Sequence, residues 1–243
     1  MAKLRLGILL DGAKPVGEGI NGALRGFAII DGEEISVIAK KLPDREVLCE
    51  IICAKLGLLL ALPIPEPLLL FDSNRNYFFG SVDVGYPNLF HYLDMSEDRS
   101  SILNHLKKWV HLRQSSFFDE LIFNADRHPG NMLFDGVDFT LIDHGLALHD
   151  RFPDDFVWEN KLFSVALDEC LNDSDMCKFQ NDAKKWQEHL YEIDIINSIM
   201  ADIDLLKSKH KDSLINILIK RQKMILSLIN KRISPQQMDC VNV

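Results

Sequence analysis

The feature that most constrains the fold is a change in hydrophobic pattern near Gly85. Before it, the segments "LRLGILL", "LRGFAII" and "EEISVIAK" are rich in apolar and β-branched residues, and Asp31-Gly32 between the last two is typical of a tight hairpin. After it, apolar residues recur at helical spacing over much of residues 100–231. The sequence therefore predicts an α+β fold, with a small antiparallel sheet followed by a larger, mainly helical part.

A helix is expected inside the first part. Apolar residues at three- and four-residue spacing over residues 44–62 predict an amphipathic helix that Pro63 ends. The segments "EPLLLFD" and "NYFFGSVDV" then predict two more strands around a turn at residues 73–76. We expect residues 1–84 and 85–243 to form two parts of one domain.

In the second part, helices are predicted over Ser100–Arg113 and Ser116–Asn124, with several more between residues 155 and 231. The segment "MLFDGVDFTLI" predicts an apolar hairpin with its turn at Asp135-Gly136. The apolar residues of "SLINILIKRQKMILSLINKR" fit a core helix, with a partner interface as the alternative.

Composition excludes some partners and locations. A net charge of -9 argues against nucleic acid, which is bound mainly through excess Lys and Arg. The longest apolar tract, "LGLLLALPIPEPLLLF", is interrupted by three prolines, so we expect no membrane insertion. Five cysteines without a C-x-x-C pair, and a start without a signal-peptide core, predict a reducing, cytoplasmic location.

Glycines in "GEGING" provide the first candidate ligand site, at Gly17, Gly19 and Gly22. In a dinucleotide-binding fold this spacing opens a helix, whereas here a strand–turn–strand pattern follows. That context fits a loop between antiparallel strands whose backbone N–H groups approach nucleotide phosphates. A flexible hairpin without a ligand is the alternative.

A lysine and a glutamate form the second candidate pair. Lys40 ends a strand about twenty residues after the glycines and can reach the α- and β-phosphates of a nucleotide, while Glu50 on the next helix can hold it by an ion pair. Lys41 points to the opposite face of an extended strand. A solvated lysine and a surface glutamate are the alternative interpretation.

The window "NADRHPGNMLFDGVDFTLIDHG" concentrates the polar chemistry. Phosphoryl transfer needs a carboxylate that orients or deprotonates the acceptor hydroxyl, and oxygen ligands for magnesium. Asp126 can supply the first, and Asn131 and Asp143 the second. The apolar hairpin between them would bring both ends to one site.

The same window also allows a metallohydrolase, because His128, His144 and the two aspartates could bind zinc or iron. Arg127 within the cluster would repel a metal, and no H-x-x-x-H helix is present. We interpret His128 as a hydrogen-bonding residue that shapes the catalytic loop, and His144 as packing beside Asp143.

These residues resemble those of the HipA-like kinases, a branch of the protein-kinase-like superfamily related to the phosphoinositide 3- and 4-kinases. The resemblance lies in "VIAK", in "LCEIICAKLGLLLALPIPEP" and in "NADRHPGN…LIDHG", and covers about residues 37–148. It implies a bilobal kinase fold, the cofactors ATP and Mg²⁺, and γ-phosphate transfer to a serine or threonine of a protein substrate.

The resemblance also implies roles for individual residues. Lys40 would be the ATP-phosphate lysine, with Glu50 as its partner. Asp126 would be the catalytic base, and Asn131 and Asp143 the magnesium ligands. Residues 80–84 would form the hinge, where the backbone of Val82 and Val84 meets adenine.

Two departures from the family pattern stand out. Residues 11–26 contain no Ser or Thr, so a regulatory serine near the phosphate loop is not expected. The chain is shorter than a full HipA toxin, so the resemblance does not imply a toxin role. The loop "DRHPGNML" also resembles aminoglycoside- and choline-type kinases, which leaves a small-molecule or lipid-type acceptor as one alternative. A non-catalytic nucleotide-binding pseudokinase is the other, and the oligomeric state stays open.

Overall fold

The structure, a computed structural model, describes residues 3–17, 22–95 and 99–233. The strands are β1 (Arg5–Leu9), β2 (Lys14–Pro15), β3 (Leu24–Ile30), β4 (Glu33–Lys40), β5 (Pro67–Phe71), β6 (Tyr77–Val82), β7 (Met132–Phe134) and β8 (Phe139–Leu141). The α-helices are α1 (Asp44–Leu59), α2 (Leu89–Met95), α3 (Arg99–Lys108), α4 (Leu112–Leu121), α5 (Lys161–Asp168), α6 (Asp173–Glu192), α7 (Ile195–Ile203) and α8 (Lys211–Ile233). This composition confirms the predicted mixed α+β class.

The first six strands form one sheet in the order β1-β5-β6-β4-β3-β2, and β1 also pairs with β3. Five of the strands therefore close into a ring. Strand β2 pairs with the same edge of β3 as β1 does, at the other end of that strand. The prediction of a purely antiparallel sheet was wrong, because β1 and β5 are parallel. Both β1 and β4 are antiparallel to β3, so they run in the same direction. The connection from β4 through α1 brings the chain back so that β5 also runs in that direction, and β5 is therefore parallel to β1.

The hairpin between β3 and β4 turns where the sequence predicts it. Asp31 and Gly32 have φ of 54° and 87°, both in the left-handed region that a two-residue type I′ turn requires. The pairing runs from Ile30↔Glu33 to Leu24↔Ala39, so Lys40 lies at the far end of β4. The turn therefore sets the register that places this lysine.

Helix α1 differs from the prediction in length and in burial. It ends at Leu59 rather than at residue 62, because the N–H of Leu60 bonds back to Leu56 and Gly57 and Ala61 turns to φ 54°. Every residue of Val47–Gly57 is buried, so the helix is not amphipathic there. Charged side chains on this stretch need buried partners.

The helical part packs around the same core as α1. The predicted helix over Ser100–Arg113 is divided into α3 and α4, because short-range bonds from Trp109 to Leu106 and from Leu112 to Trp109 form a turn. One continuous apolar cluster joins α1 to α4, α5, α6, α7 and α8. The buried apolar residues of α8 make it a core helix. Among the described residues, no helix has the length and apolarity needed to span a membrane.

The predicted hairpin after the polar loop is present as β7 and β8. Gly136 in its turn has φ 104°, and the N–H of Ile142 bonds to the carbonyl oxygen of Asn131 at 3.1 Å. The strand pair thereby brings Asn131 and Asp143 to the same end of the hairpin. This is the relationship that their spacing predicted.

Candidate active site

Lys40 contacts two carboxylates at the end of β4. Its Nζ lies 3.2 Å from Oε1 of Glu50 and 3.1 Å from Oδ1 of Asp143. Burial alone would lower the pKa of Lys40, but the two carboxylates outweigh it and the pKa is raised. The lysine therefore stays protonated and bridges the sheet, α1 and the segment after β8.

Glu50 is the central buried acid of the site. Its Oε1 faces Lys40, and its Oε2 accepts a hydrogen bond of 2.9 Å from the backbone N–H of His144. Burial raises the pKa of Glu50, and the charge of Lys40 partly offsets that effect. The carboxylate thus fixes both the lysine and the backbone next to Asp143.

Asp126 and Asn131 lie together on the loop that follows α4. The Nδ2 of Asn131 donates to the carbonyl oxygen of Asp126 at 2.8 Å and lies 3.4 Å from its Oδ2. Asn131 is buried, whereas the Asp126 side chain is 48% exposed. A ligand from solvent can therefore reach the carboxylate of Asp126.

The buried side chain of Arg127 supports the loop that carries Asp126 and Asn131. It donates 2.9 and 3.0 Å hydrogen bonds to the two carboxylate oxygens of Asp119 and bonds to the carbonyl oxygens of Asn131 and Ile142. Its NH2 is also 3.0 Å from Nε2 of His144. Burial, with the charges of Arg127 and Lys40, lowers the pKa of His144 well below its ordinary value. The neutral ring can then accept at Nε2.

The chain around Asp143 has a constrained backbone. Asp143 has φ 61°, in the left-handed region; the carbonyl oxygen of Ile142 before it is bonded by Arg127, and the N–H of His144 after it by Glu50. The guanidinium of Arg45 donates to the carbonyl oxygen of Leu148 at 2.6 Å, and Cys49 Sγ to that of Ala147 at 3.1 Å. Both donors lie on α1, so this helix orients the aspartate as well as Lys40.

The glycine loop joins β2 to β3, as its context predicted. The N–H of Val16 bonds to the carbonyl oxygen of Ala23 at 2.8 Å and closes the loop. Gly17 and Gly22 have φ of 30° and 57°, whereas Gly19 lies outside the described residues.

The predicted hinge residues are at the end of β6. Val82 pairs with Val37 on β4, the strand that carries Lys40. Asp83, the next residue, bonds to the carbonyl oxygen of Ser36 at 3.0 Å. Val84 follows directly and is partly buried. The predicted hinge residues therefore lie at the end of the strand that pairs with β4, the strand of Lys40.

His128 shapes the loop rather than lying free. Its Nδ1 accepts a hydrogen bond of 3.0 Å from the N–H of Gly130, and its ring stacks on Phe90 with 5.8 Å between centroids. A Cβ on Gly130 would lie 2.8 Å from this ring, so the turn needs glycine there. Nε2 of His128 is 4.0 Å from Asp126, too far for a direct hydrogen bond.

The oxygen atoms of the site suit magnesium better than zinc. Asn131 uses its Nδ2 as a donor to Asp126, which leaves its amide oxygen available as an acceptor, and Asp143 adds a carboxylate that is 25% exposed. Mg²⁺ binds through one or two such oxygens together with waters and phosphates. In the part of the chain that the structure describes, no three His, Cys, Asp or Glu side chains cluster as metal ligands.

The sequence analysis did not identify the buried residues whose hydrogen bonds fix the backbone and side chains of the site. These are Asp119, Arg45 and Cys49, together with the Nε2 of His144 as an acceptor for Arg127. A signal for Asp119 does exist, because "SSFFDELIF" places two carboxylates inside an otherwise apolar helix. Buried charges of that kind require partners.

A buried lysine–glutamate pair, set against an aspartate–asparagine loop, is the arrangement of residues that is typical of kinases. Within that class, the chain belongs to the HipA-like kinase family, whose model matches residues 22–232. The comparison with curated protein sequences gives no match.

Two solved structures resemble the fold. The Helicobacter pylori proinflammatory kinase CtkA is 16% identical, with 93% of this chain and 96% of that chain covered and a TM-score of 0.55. An N-terminal 618-residue fragment of LepB from Legionella pneumophila is 14% identical, with 82% and 45% covered and a TM-score of 0.45. The first similarity establishes a shared fold.

Proposed function

We propose that this protein is an ATP- and magnesium-dependent kinase that transfers the γ-phosphate to a serine or threonine hydroxyl of a protein. The observation that carries the proposal is the position of Lys40 between Glu50 and Asp143. A protonated lysine held by a buried glutamate beside a metal-binding aspartate is what a kinase needs to hold nucleotide phosphates. Family membership supports the same reaction class.

In this proposal the protein has two lobes, residues 1–84 and 85–243, with ATP between them. Gly17, Gly19 and Gly22 cover the phosphates, and Lys40 binds them from below. Adenine meets the backbone at Val82 and Val84. The end of β6, next to the strand of Lys40, supports that assignment.

Asn131 and Asp143 are the proposed magnesium ligands, through an amide and a carboxylate oxygen. When bound, the ion neutralises charge on the phosphates. The Arg127–Asp119 pair fixes Asn131 through its carbonyl oxygen, and α1 fixes the backbone after Asp143. Both ligands are therefore preorganised before nucleotide arrives.

Asp126 is the proposed base for the acceptor. Its exposed carboxylate orients the hydroxyl and takes its proton, as the oxygen–phosphorus bond to the acceptor forms and the bond between the β- and γ-phosphates breaks. The Nδ2 of Asn131 lies near this carboxylate and keeps it oriented. His128 supports the same loop through Gly130.

Other parts of the proposal rest on simpler observations. The net charge of -9 favours a protein over a nucleic-acid partner. A cytoplasmic location fits the free cysteines Cys49, Cys53, Cys170 and Cys177 of the described chain.

Incubation with γ-labelled ATP, magnesium and a heat-treated cell extract, followed by separation of the protein and small-molecule fractions, tests the proposal. The wild-type protein should label at least one protein band, and Asp126→Ala should not. Asp138→Ala is a matched control, because Asp138 is an exposed aspartate in the nearby β-hairpin turn. Label found only in small molecules would replace the protein acceptor with a small-molecule acceptor, and no transfer to any fraction would refute the kinase activity.

A further inference from the structure

Segment 146–160, which follows Asp143, contains no residue that can be phosphorylated on a hydroxyl. Between Thr140 and Ser164 the sequence has no Ser, Thr or Tyr. Kinases that are regulated through this part of the chain order it by phosphorylation, when arginines bind the new phosphate. In this protein, contacts other than those between arginine and phosphate must therefore hold segment 146–160 in position.

Helix α8 supplies cations to the segment. The NH1 of Arg221 donates to the carbonyl oxygen of Asp154 at 2.8 Å and to that of Phe156 at 3.4 Å. The Nζ of Lys220 lies 2.9 Å from the carboxylate of Asp154. The segment is thus held through its backbone as well as through a side chain.

A second pair of cations on α8 repeats this arrangement. The Nζ of Lys231 lies 3.0 Å from the carboxylate of Asp155, and Arg232 donates to the carbonyl oxygen of Trp158. The two Lys-Arg pairs are eleven residues apart, which at about 3.6 residues per turn returns to the same side of a helix. Together, the four side chains of the two pairs form what we call the α8 clamp.

Arg221 also connects the α8 clamp to the catalytic loop. Its NH2 donates to the carbonyl oxygen of Glu120 at 2.6 Å, and its Nε lies 3.2 Å from that of Leu121. Its guanidinium is 4.5 Å from the centre of the Phe123 ring. These residues form the end of α4 and the start of the loop that carries Asp126. Arg221 therefore joins segment 146–160 to the start of the loop that carries Asp126.

The charge of Arg221 is balanced inside the protein. The side chain is fully buried, and its NH2 is 3.2 Å from Oε1 of Glu120, which also binds Arg232. Burial lowers the pKa of Arg221 from its ordinary value, and Glu120 opposes that shift. The guanidinium stays charged at neutral pH because an arginine pKa lies far above it.

We propose that Arg221 is a positioning residue for phosphoryl transfer, and that the α8 clamp holds segment 146–160 in its working position permanently, without phosphorylation. The four cations and the carboxylates of Asp154 and Asp155 do here what arginines and a phosphate do in a regulated segment. The kinetic part of this inference rests on the proposed function, whereas the ordering of the segment does not.

The kinetic test compares Arg221→Met with Lys223→Ala, which changes an exposed cation on the same helix. Loss of positioning should lower kcat for protein labelling by about tenfold or more. The Kd for Mg-ATP should stay near the wild-type value, because Arg221 does not touch Lys40 or Asp143. An unchanged kcat in Arg221→Met, measured on folded protein, would overturn the proposal.

A second variant separates positioning from folding. Arg221→Met leaves the buried carboxylate of Glu120 with Arg232 but without Arg221, so the double variant Arg221→Met/Glu120→Gln should recover part of the thermal stability, with Glu120→Gln alone as the control for the altered contact with Arg232. It still lacks the donors to Asp154 and Phe156, so its kcat should remain low. Recovery of kcat together with stability would mean that Arg221 acts only on folding.

Limited proteolysis tests the ordering of the segment independently of kcat. Wild-type protein treated with a broad-specificity phosphatase should keep Arg151 resistant to an arginine-specific protease, and Arg221→Met should be cut there. Rapid cleavage of the treated wild-type protein would refute the α8 clamp. If the treated protein stays resistant and neither the untreated nor the treated protein transfers phosphate to any acceptor, then the proposed function fails and the clamp stands. Loss of existing transfer activity on phosphatase treatment would refute only the independence from phosphorylation.

Discussion

Arg127 donates two hydrogen bonds to the carboxylate of Asp119, eight residues earlier in the chain, and both side chains are almost completely buried. The same guanidinium bonds to the carbonyl oxygens of Asn131 and Ile142. One buried ion pair therefore joins α4, the loop that carries Asp126 and the residue that follows β8. Its orientation is fixed because a bidentate arginine–carboxylate pair has a defined geometry.

Removing one partner of this pair should strongly destabilise the protein. Asp119→Ala leaves the buried guanidinium without its carboxylate, and we expect a loss of about 3–5 kcal/mol in the free energy of unfolding. Urea unfolding measures this. Asp182→Ala is the matched control, because the side chains of its ion pair with Arg113 are 34% and 45% exposed, and pairs near the surface are worth about 0–1 kcal/mol. Equal losses in the two variants would contradict the central role of the Asp119 pair.

Lys40→Ala should reduce phosphate transfer much more than Lys41→Ala. Lys40 is held between two carboxylates, whereas its neighbour is exposed on the other face of the chain. Initial rates of protein labelling at saturating and limiting ATP measure the effect. A larger defect in Lys41→Ala would show that the proposed phosphate lysine has been assigned to the wrong side of β4.

Asp143→Ala and Asp126→Ala should separate nucleotide binding from transfer. The first removes a proposed magnesium ligand, so the gain in ATP affinity on adding magnesium should shrink. The second removes the proposed base and should abolish transfer while ATP binding stays near wild type. Calorimetric titrations with and without magnesium measure both. A magnesium effect that survives Asp143→Ala would exclude that residue from the metal site.

Protein stability should fall below about pH 6.5 partly through His144. Its pKa is lowered in the folded state by burial and by Arg127 and Lys40. Above the unfolded pKa, near 6.5, both states are neutral. Below that value the unfolded state binds a proton that the folded state excludes, so the free energy of unfolding falls by up to about 1.4 kcal/mol per pH unit until the folded pKa is reached.

His144→Gln isolates this contribution, because the amide oxygen can still accept from Arg127 but does not titrate. Urea unfolding at pH 7.5 and 5.5 should give a smaller loss for the variant than for the wild-type protein. Equal pH dependence in the two proteins would mean that His144 does not limit stability in acid.

Local signals predicted the parts of the fold that depend on neighbouring residues. The β3–β4 turn follows from Asp31-Gly32, and the hairpin after Asn131 follows from the apolar residues on either side of Asp135-Gly136. Those two turns bring Lys40 and Asp143 to their positions. The proximity of Asn131 and Asp143 was therefore predictable from the residues, whereas the position of Lys40 beside Asp143 was implied only by the resemblance to the HipA-like kinases.

Relationships between distant segments were not predictable in the same way. The parallel pairing of β1 with β5 depends on the crossover through α1 and leaves no mark on either strand. The burial of Asp119 shows only as a charge in an apolar helix. The positions of Lys220 and Lys231 in the α8 clamp could have been noticed from the repeated Lys-Arg pair, but its target could not.

Asp202 on α7 makes the beginning of the chain dependent on its later helices. Its carboxylate is 2.6 Å from the ammonium of Lys55 on α1 and accepts a 2.8 Å hydrogen bond from the N–H of Leu4. A growing chain on the ribosome lacks this carboxylate until almost all of the described helices have been made. The N–H of Leu4, at the start of the strand that closes the sheet, therefore gains this partner only after α7 has been made, and a fragment truncated before α7 would lack the ion pair between Lys55 and Asp202.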